Sequence, residues 1–321
     1  AAAGTAPPAA ARALAIQSIA VWDAIAAIGD TSPYLAEFEL DHPVNLDAVI
    51  AYASHTALKA LIPTQAALFD ARLADILDDL GSGTALTRAV SLGTAAANAV
   101  LALRSLDGSA DTVTYTFGSD PGDWVATPPA FASPALPHWG GVQTFALDSA
   151  DQFRAPPPPA LDSAEYAAAL NEVKTVGALD SATRTDDEAE IATYWRDGAN
   201  TYTPPGHWNA IAAQIATAEG TGTVENAMIF ALLNIAVADA GIAAWDTKYT
   251  YSEWRPISAI RGADLDGNAA TVADAVWEPY FVTPNHPTYV SGHSTFSGAA
   301  AGVLTAIFGE DYAFSSEGQE L

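Results

Sequence analysis

Between Val224 and Trp245 the chain reads VENAMIFALLNIAVADAGIAAW, its longest apolar run. The run is long enough to cross a bilayer. Glu225, Asn226, Asn234 and Asp239 fall inside it, however, and a carboxylate at bilayer depth is costly. The stretch therefore reads as a helix buried in protein, and membrane contact is disfavoured. A helix this long and this apolar needs other helices packed around it, so the reading of this one segment decides the fold class.

The flanking sequence supplies those partners. Apolar residues recur at helical spacing from Ala9 to Ile28, with Leu14, Ile16, Ile19, Val21, Trp22 and Ile25 on the repeating positions. Asn45 to Leu61, Gln65 to Leu80 and Thr84 to Leu106 read likewise, each bounded by Pro, Gly or Asp. Further helices are expected over Ser163 to Val176, Asp186 to Trp195, His207 to Thr217, Pro256 to Arg261 and Ser294 to Phe308. Alanine dominates long stretches and favours helix, whereas strand patterns are almost absent. The expected fold class is all-α, with two packed helical bundles forming one large domain over 1–321. The N-terminal bundle covers about 9–106, an irregular connection about 107–160, and a C-terminal bundle about 161–321. No short repeat is visible, which argues against a solenoid. The connection is rich in Gly, Pro, Ser and Thr and ends in Pro156-Pro157-Pro158-Pro159. A connection that long in a compact domain is expected to pack across the surface, anchored by Trp124, Phe131, Trp139 and Phe145.

Charge narrows the partners. Twelve Lys and Arg against 38 Asp and Glu give a net charge of -26 in 321 residues, a field that repels nucleic acid and anionic membranes. With no cysteine there is no disulfide framework, thiolate nucleophile or Cys-based zinc site. The acidity suits salty or extracellular surroundings, and the opening Ala1-Ala2-Ala3-Gly4 is compatible with a removed leader, so an extracellular or periplasmic location is expected. Large helical faces make a homodimer plausible.

Chemistry concentrates near the C-terminus. Ser291-Gly292-His293 precedes an apolar helix, so its backbone N–H groups lie where the helix dipole attracts anions, with Gly292 leaving room for close approach. Ser291 adds a hydroxyl donor, and His293 can move a proton near neutral pH. An isolated Ser-Gly-His would more often be a simple helix cap. Upstream, though, Lys248, Arg255 and Arg261 place three of the twelve cations within fourteen positions. Lys248 follows the long helix, and Arg255, biased away from helical backbone by Pro256, opens the next. A forked guanidinium and a point-charge ammonium suit an oxyanion. The competing expectation is salt bridging to carboxylates such as Glu253. Arg261, before Gly262, reads as a C-terminal helix cation. The Asp264, Asp266, Gly267, Asn268 cluster reads as a turn, because the ligand spacing of a calcium loop is missing.

Lys248 with six residues before Arg255-Pro256, followed by Ser291-Gly292-His293, resembles the type 2 phosphatidic acid phosphatase and vanadium-dependent haloperoxidase superfamily. Tyr194-Trp195-Arg196-Asp197-Gly198 and Thr203-Pro204-Pro205-Gly206-His207-Trp208 look like its soluble haloperoxidase-related branch. The resemblance implies that Lys248, Arg255, Ser291 and Gly292 bind the oxygens of vanadate or phosphate and that His293 is the catalytic acid-base group. It implies vanadate as cofactor, acting as a Lewis acid, with hydrogen peroxide, halide and a small organic compound as partners. His286 lies seven residues before His293, where algal bromoperoxidases of the family carry histidine and fungal chloroperoxidases phenylalanine, which favours bromide; a structural, turn-capping His286 is the alternative. Val290 replaces the proline usual before Ser-Gly-His. Trp245 matches a wall tryptophan of the fungal enzymes but reads as core, and His207-Trp208 as a helix-start packing element.

The resemblance also implies a third motif, a Ser-Arg pair followed by histidine, yet no histidine follows His293 before Leu321. The apical vanadate ligand, or the nucleophilic histidine of the phosphatases, is expected from beyond Leu321 or from another chain. Three functions follow as expectations. The first is a vanadate-dependent haloperoxidase, the second an acid phosphatase working through a phosphohistidine, and the third a catalytically incomplete anion-binding helical protein.

Overall fold

The computed structural model describes residues 4–29, 31–40, 42–80 and 82–319. Ala1–Ala3, on which the leader expectation rests, and Leu321 lie outside them. The helices are α1 (Pro7–Ala26), α2 (Leu46–Leu61), α3 (Ala66–Asp78), α4 (Thr84–Leu103), α5 (Ala164–Val176), α6 (Asp186–Arg196), α7 (Thr203–Glu219), α8 (Thr223–Tyr251), α9 (Pro256–Arg261) and α10 (Gly292–Phe308). Among the described residues there is no strand, only isolated bridges joining Asp123 to Glu253 and Ala178 to Pro279.

α1 is the seam of the molecule. Its Ile16, Ile19 and Ala20 pack with Ala57 of α2, Ala97 and Val100 of α4 and Ile235 of α8. One turn earlier, Ala11 and Ala15 join α7, α8 and α10 around Ile211, Leu233, Ile242, Phe296 and Leu304. The two helical groups thus share one core through α1 and α8. Close approach sets this packing at two glycines. A Cβ on Gly93 of α4 would lie 2.5 Å from the Val49 carbonyl oxygen of α2, and one on Gly241 of α8 would meet the Phe296 ring at 2.9 Å.

Three helices are apolar and long enough to span a membrane by composition, α1, α4 and α8. In α1 and α8 two-thirds of the candidate window is buried inside the protein. The polar residues inside α8 have internal roles. Asp239 accepts from the backbone N–H groups of Phe145, Ala146 and Leu147, and Asn234 donates to Ser18 and to Asn209. Asp23 in α1 holds Tyr34, Leu35 and Ala36 in the same way as Asp239. Each carboxylate gathers a loop's unpaired donors, which would otherwise be buried without acceptors.

The connection runs across the C-terminal half of α8. Trp124 and Trp139 are buried, and Phe145 lies under the Arg104 guanidinium at 3.9 Å. Phe131 departs from expectation. It is 64% exposed, because a tight turn with left-handed φ of 48° and a Phe131 N–H to Thr127 carbonyl bond points it away from the core.

Helix ends differ from the apolar spacing where polar residues carry the helix on. α8 continues six residues past Trp245, so Lys248 lies in its last turn rather than after it. The turn is held from outside, since Trp245 Nε1 and Tyr249 OH both donate to the Ala135 carbonyl of the connection. α10 begins at Gly292 with Ser291 as N-cap, two residues before the expected start. The 264–268 segment is a turn, in which Asp266 accepts from Asn268 N–H and Thr271 Oγ1. Arg261 in the last turn of α9 donates to the Trp277 carbonyl and pairs with Glu278.

Candidate functional site

The site forms where the loop before α10 docks onto the α8–α9 junction. Thr288 donates its N–H to the Glu253 carbonyl and its hydroxyl to the Trp254 carbonyl. From the other side Lys248 Nζ donates to the carbonyls of Pro287 (2.9 Å), Thr288 (2.9 Å) and Val290. An ammonium has three protons, and here each meets a carbonyl of the loop that delivers Ser291-Gly292-His293. Lys248 is 1% exposed, so its charge is spent in a desolvated place. Burial, reinforced by the nearby Arg255 charge, pulls its pKa down to about 7.

Ser291 caps α10 in extended conformation, its Oγ accepting the Ser294 N–H at 3.2 Å. Gly292 and His293 therefore occupy the first helical turn, where backbone donors have no intrahelical acceptor. A Cβ on Gly292 would lie 3.4 Å from the Trp245 ring and 3.9 Å from Lys248 Cε, so this glycine and the lysine share one small space.

Arg255 stands at the N-cap of α9 with extended backbone (φ -80°, ψ 154°), as its place before Pro256 requires. Its Nε is shielded from solvent and has no hydrogen-bond partner. Among the described residues its guanidinium pairs with no carboxylate. Burial lowers its pKa to about 10. Buried donors are ordinarily satisfied, so an unpartnered guanidinium nitrogen beside a second cation is the observation that best fits an oxyanion. The Glu253 salt bridge, the competing expectation, does not form. Glu253 is instead a half-buried carboxyl whose pKa burial raises to about 7, against the pull of Lys248.

His286 lies among these charges. Burial, then Lys248, Arg255 and His293, lower its pKa to about 3, so its imidazole is neutral at any ordinary pH. Nδ1–H donates to the Pro287 carbonyl at 3.0 Å, which leaves Nε2 as an acceptor. Its ring faces Trp245 with centroids 5.2 Å apart. His293 is exposed, and its Nε2 lies 2.9 Å from the Arg196 carbonyl oxygen. A carbonyl only accepts, so Nε2 carries the proton and Nδ1 is the nitrogen open to exchange.

Both histidines line a cavity of about 550 Å³. Its other walls include Trp245, Ala135, the 196–203 turn, Pro7 and Leu14 of α1, Leu58 of α2 and Ile62 just beyond it. Lys248, Arg255, Ser291 and Gly292 are not among its walls. The structure thus groups the cations with His286 and Gly292, and joins His293 to the cavity and to α6. Among the described residues no cluster of three His, Cys, Asp or Glu side chains suits a metal cation.

One neighbour was expected only as a helix-start packing element. His207 on α7 is 1% exposed, with Nδ1 3.1 Å from Asp197 Oδ1 and Nε2 3.2 Å from Tyr194 OH. The sequence offered the segment that holds His207, but nothing in it shows the bonds to Asp197 and Tyr194.

An all-helical fold sets Lys248, Arg255 and the Ser291-Gly292-His293 helix start around one loop junction, and the chain is similar in sequence and in fold to vanadium haloperoxidases. Residues 228–320 match the family model described as the VCPO second helical-bundle domain. The vanadium chloroperoxidase of Curvularia inaequalis is 30% identical over 192 residues, which is 51% of this chain and 31% of that protein, so the match spans about a third of the relative. The crystal structure of the first bacterial vanadium-dependent iodoperoxidase superposes with TM-score 0.82 at 28% identity, covering 97% of this chain and 78% of the other. A holo-type bacterial vanadium-dependent chloroperoxidase superposes at 0.74 with 19% identity over 96% of this chain and 79% of the other, a likeness of fold.

Proposed function

We propose that the protein is a vanadate-dependent haloperoxidase that oxidises halide, bromide in preference, with hydrogen peroxide and so halogenates small organic compounds. The observation that carries this reading is the unpartnered Nε of Arg255 beside the buried Lys248. The likeness to a vanadium chloroperoxidase and to a bacterial vanadium-dependent iodoperoxidase supports it.

Vanadate, when bound, supplies a Lewis acid that polarises the peroxide O–O bond. The chain's own residues do the rest. Arg255 offers donors in fork geometry, Gly292 a backbone N–H without an obstructing side chain, and Lys248 a positive charge in low dielectric. Neutral His286, its Nδ1–H already used, accepts a hydrogen bond at Nε2 from a hydroxyl donor. His293 takes a proton at Nδ1 and returns it to the departing oxygen, while Nε2–H stays on the Arg196 carbonyl. Bromide is favoured by the histidine at position 286. The acidic composition supports an extracellular or periplasmic location and argues against nucleic acid as a partner.

Because phosphate has the shape and charge of vanadate, the same cradle supports phosphate-monoester hydrolysis as the second reading. An assay with orthovanadate, hydrogen peroxide and bromide separates them, and bromination of a dye reporter is expected. Hydrolysis of a phosphate monoester without bromination would sink the haloperoxidase reading. Anion binding with neither activity would favour an anion-binding protein.

A further inference from the structure

The His207 ring lies between Tyr194, Trp195 and Tyr202, with centroids 4.8 to 5.2 Å away. A phenylalanine would fill such a cage, so the imidazole is there for its nitrogens. Both are engaged, and their directions can be assigned. Asp197 accepts, so Nδ1 of His207 carries the proton and Nε2 accepts from Tyr194 OH; the tyrosine oxygen then accepts from Ser316 Oγ. Hydroxyl, phenol, imidazole and carboxylate form one directed chain that reaches Asp197.

Asp197 ends α6 in the left-handed region (φ 43°, ψ 50°), where a residue with a Cβ needs outside support. Its backbone nitrogen belongs to the same peptide unit as the Arg196 carbonyl. That carbonyl holds the Nε2–H of His293. The Asp197–His207 bond spans ten residues and ties the 197–202 loop to α7, and Thr201 tightens that loop by donating to the Gly198 carbonyl.

We infer that His207 is a positioning residue for His293. By fixing Asp197 it orients the Arg196 carbonyl, and that carbonyl sets which nitrogen of His293 is protonated and which is open to the bound anion. The inference rests on His293 being the proton-transfer group of the proposed function, and it is tested where the two can fail separately. In a ¹⁵N-histidine-labelled sample at alkaline pH, nitrogen shifts should report His293 protonated at Nε2 and His207 at Nδ1. His207→Phe keeps the ring stack and removes both bonds. His293 should then sample both tautomers, and orthovanadate affinity by calorimetry should fall about ten- to a hundredfold. His207→Asn places an amide donor near the Nδ1 position and should restore both readouts towards the parent. If His293 in the parent carries its proton on Nδ1, the inference is wrong whatever the variants do. It is also wrong if His207→Phe lowers the melting temperature and leaves tautomer and affinity unchanged, the mark of a purely structural residue. Should His207→Phe not fold, the parent spectrum and His207→Asn decide. Absence of orthovanadate binding in the parent would remove the cofactor reading while the tautomer measurement still stands.

Discussion

Arg255 keeps a guanidinium nitrogen with neither solvent nor partner, which costs stability unless an anion arrives. Arg255→Met is therefore expected to unfold at higher denaturant than the parent without ligand, by roughly 1–3 kcal/mol. It should lose most of the stabilisation that added phosphate gives the parent, as denaturant titrations with and without phosphate would reveal. Glu253 gives a pH signature. Its carboxyl is raised from the usual range to about 7 by burial, so between pH 4.5 and 7 the folded state holds a proton that the unfolded state has released. Stability from this group falls as pH rises through that window. Glu253→Gln should thus stabilise more at pH 8 than at pH 5, by roughly 1–3 kcal/mol, and a gain equal at both pH values would reject the assignment. The Lys248, Arg255 and Ser-Gly-His positions were legible from spacing and scarce cations. The missing partner of Arg255, the burial of Glu253 and the link from His207 to Asp197 were not, because each depends on contacts between segments the sequence keeps apart.

Helix identity was legible throughout, since apolar periodicity marks the faces that pack. Helix length was not legible where packing replaces periodicity. The last turn of α8, Asp246 to Tyr251, is polar and aromatic, and it stays helical because the Ala135 carbonyl, 110 positions from Trp245, takes its ring donors. Without that extension Lys248 would not reach the loop before α10. The 107–160 connection was recognised as irregular, but Phe131 shows that an aromatic residue there is no guarantee of an anchor. At Gly93 the contact with α2 leaves no room for a side chain. Gly93→Ala is expected to destabilise by about 1–3 kcal/mol through overpacking, although alanine has the better helix propensity. A calorimetric melting temperature at or above the parent's would contradict the close approach.

Across the whole molecule a net charge of -26 surrounds a junction where Lys248 and Arg255 lie close together. An incoming anion meets repulsion before it meets Lys248 and Arg255. Screening shortens the reach of that field from about 30 Å at 0.01 M salt to about 10 Å at 0.1 M. Phosphate association, followed by stopped flow in a non-halide salt, should accelerate with ionic strength over this range by a factor of a few, the reverse of ordinary steering. Slowing with salt would mean that the pocket outweighs the surface at long range. The shared core through α1 and α8 was only partly legible, since two bundles were expected and α1 belongs equally to both.

Lys248 has its pKa drawn down to about 7 by burial and by Arg255, so its proton is held less firmly than that of an exposed lysine. A bound anion offsets the Arg255 charge and so favours the protonated amine. The pocket therefore completes its charge on loading, drawing one cation from the solvent as the anion enters. Calorimetric titration of phosphate in buffers of different ionisation enthalpy near pH 8 should register this as net proton uptake after correction for phosphate's own ionisation, and Lys248→Met should abolish it. Anion capture by this protein would then bring in less charge than the free anion carries, a proton accompanying it out of a medium in which that charge is repelled.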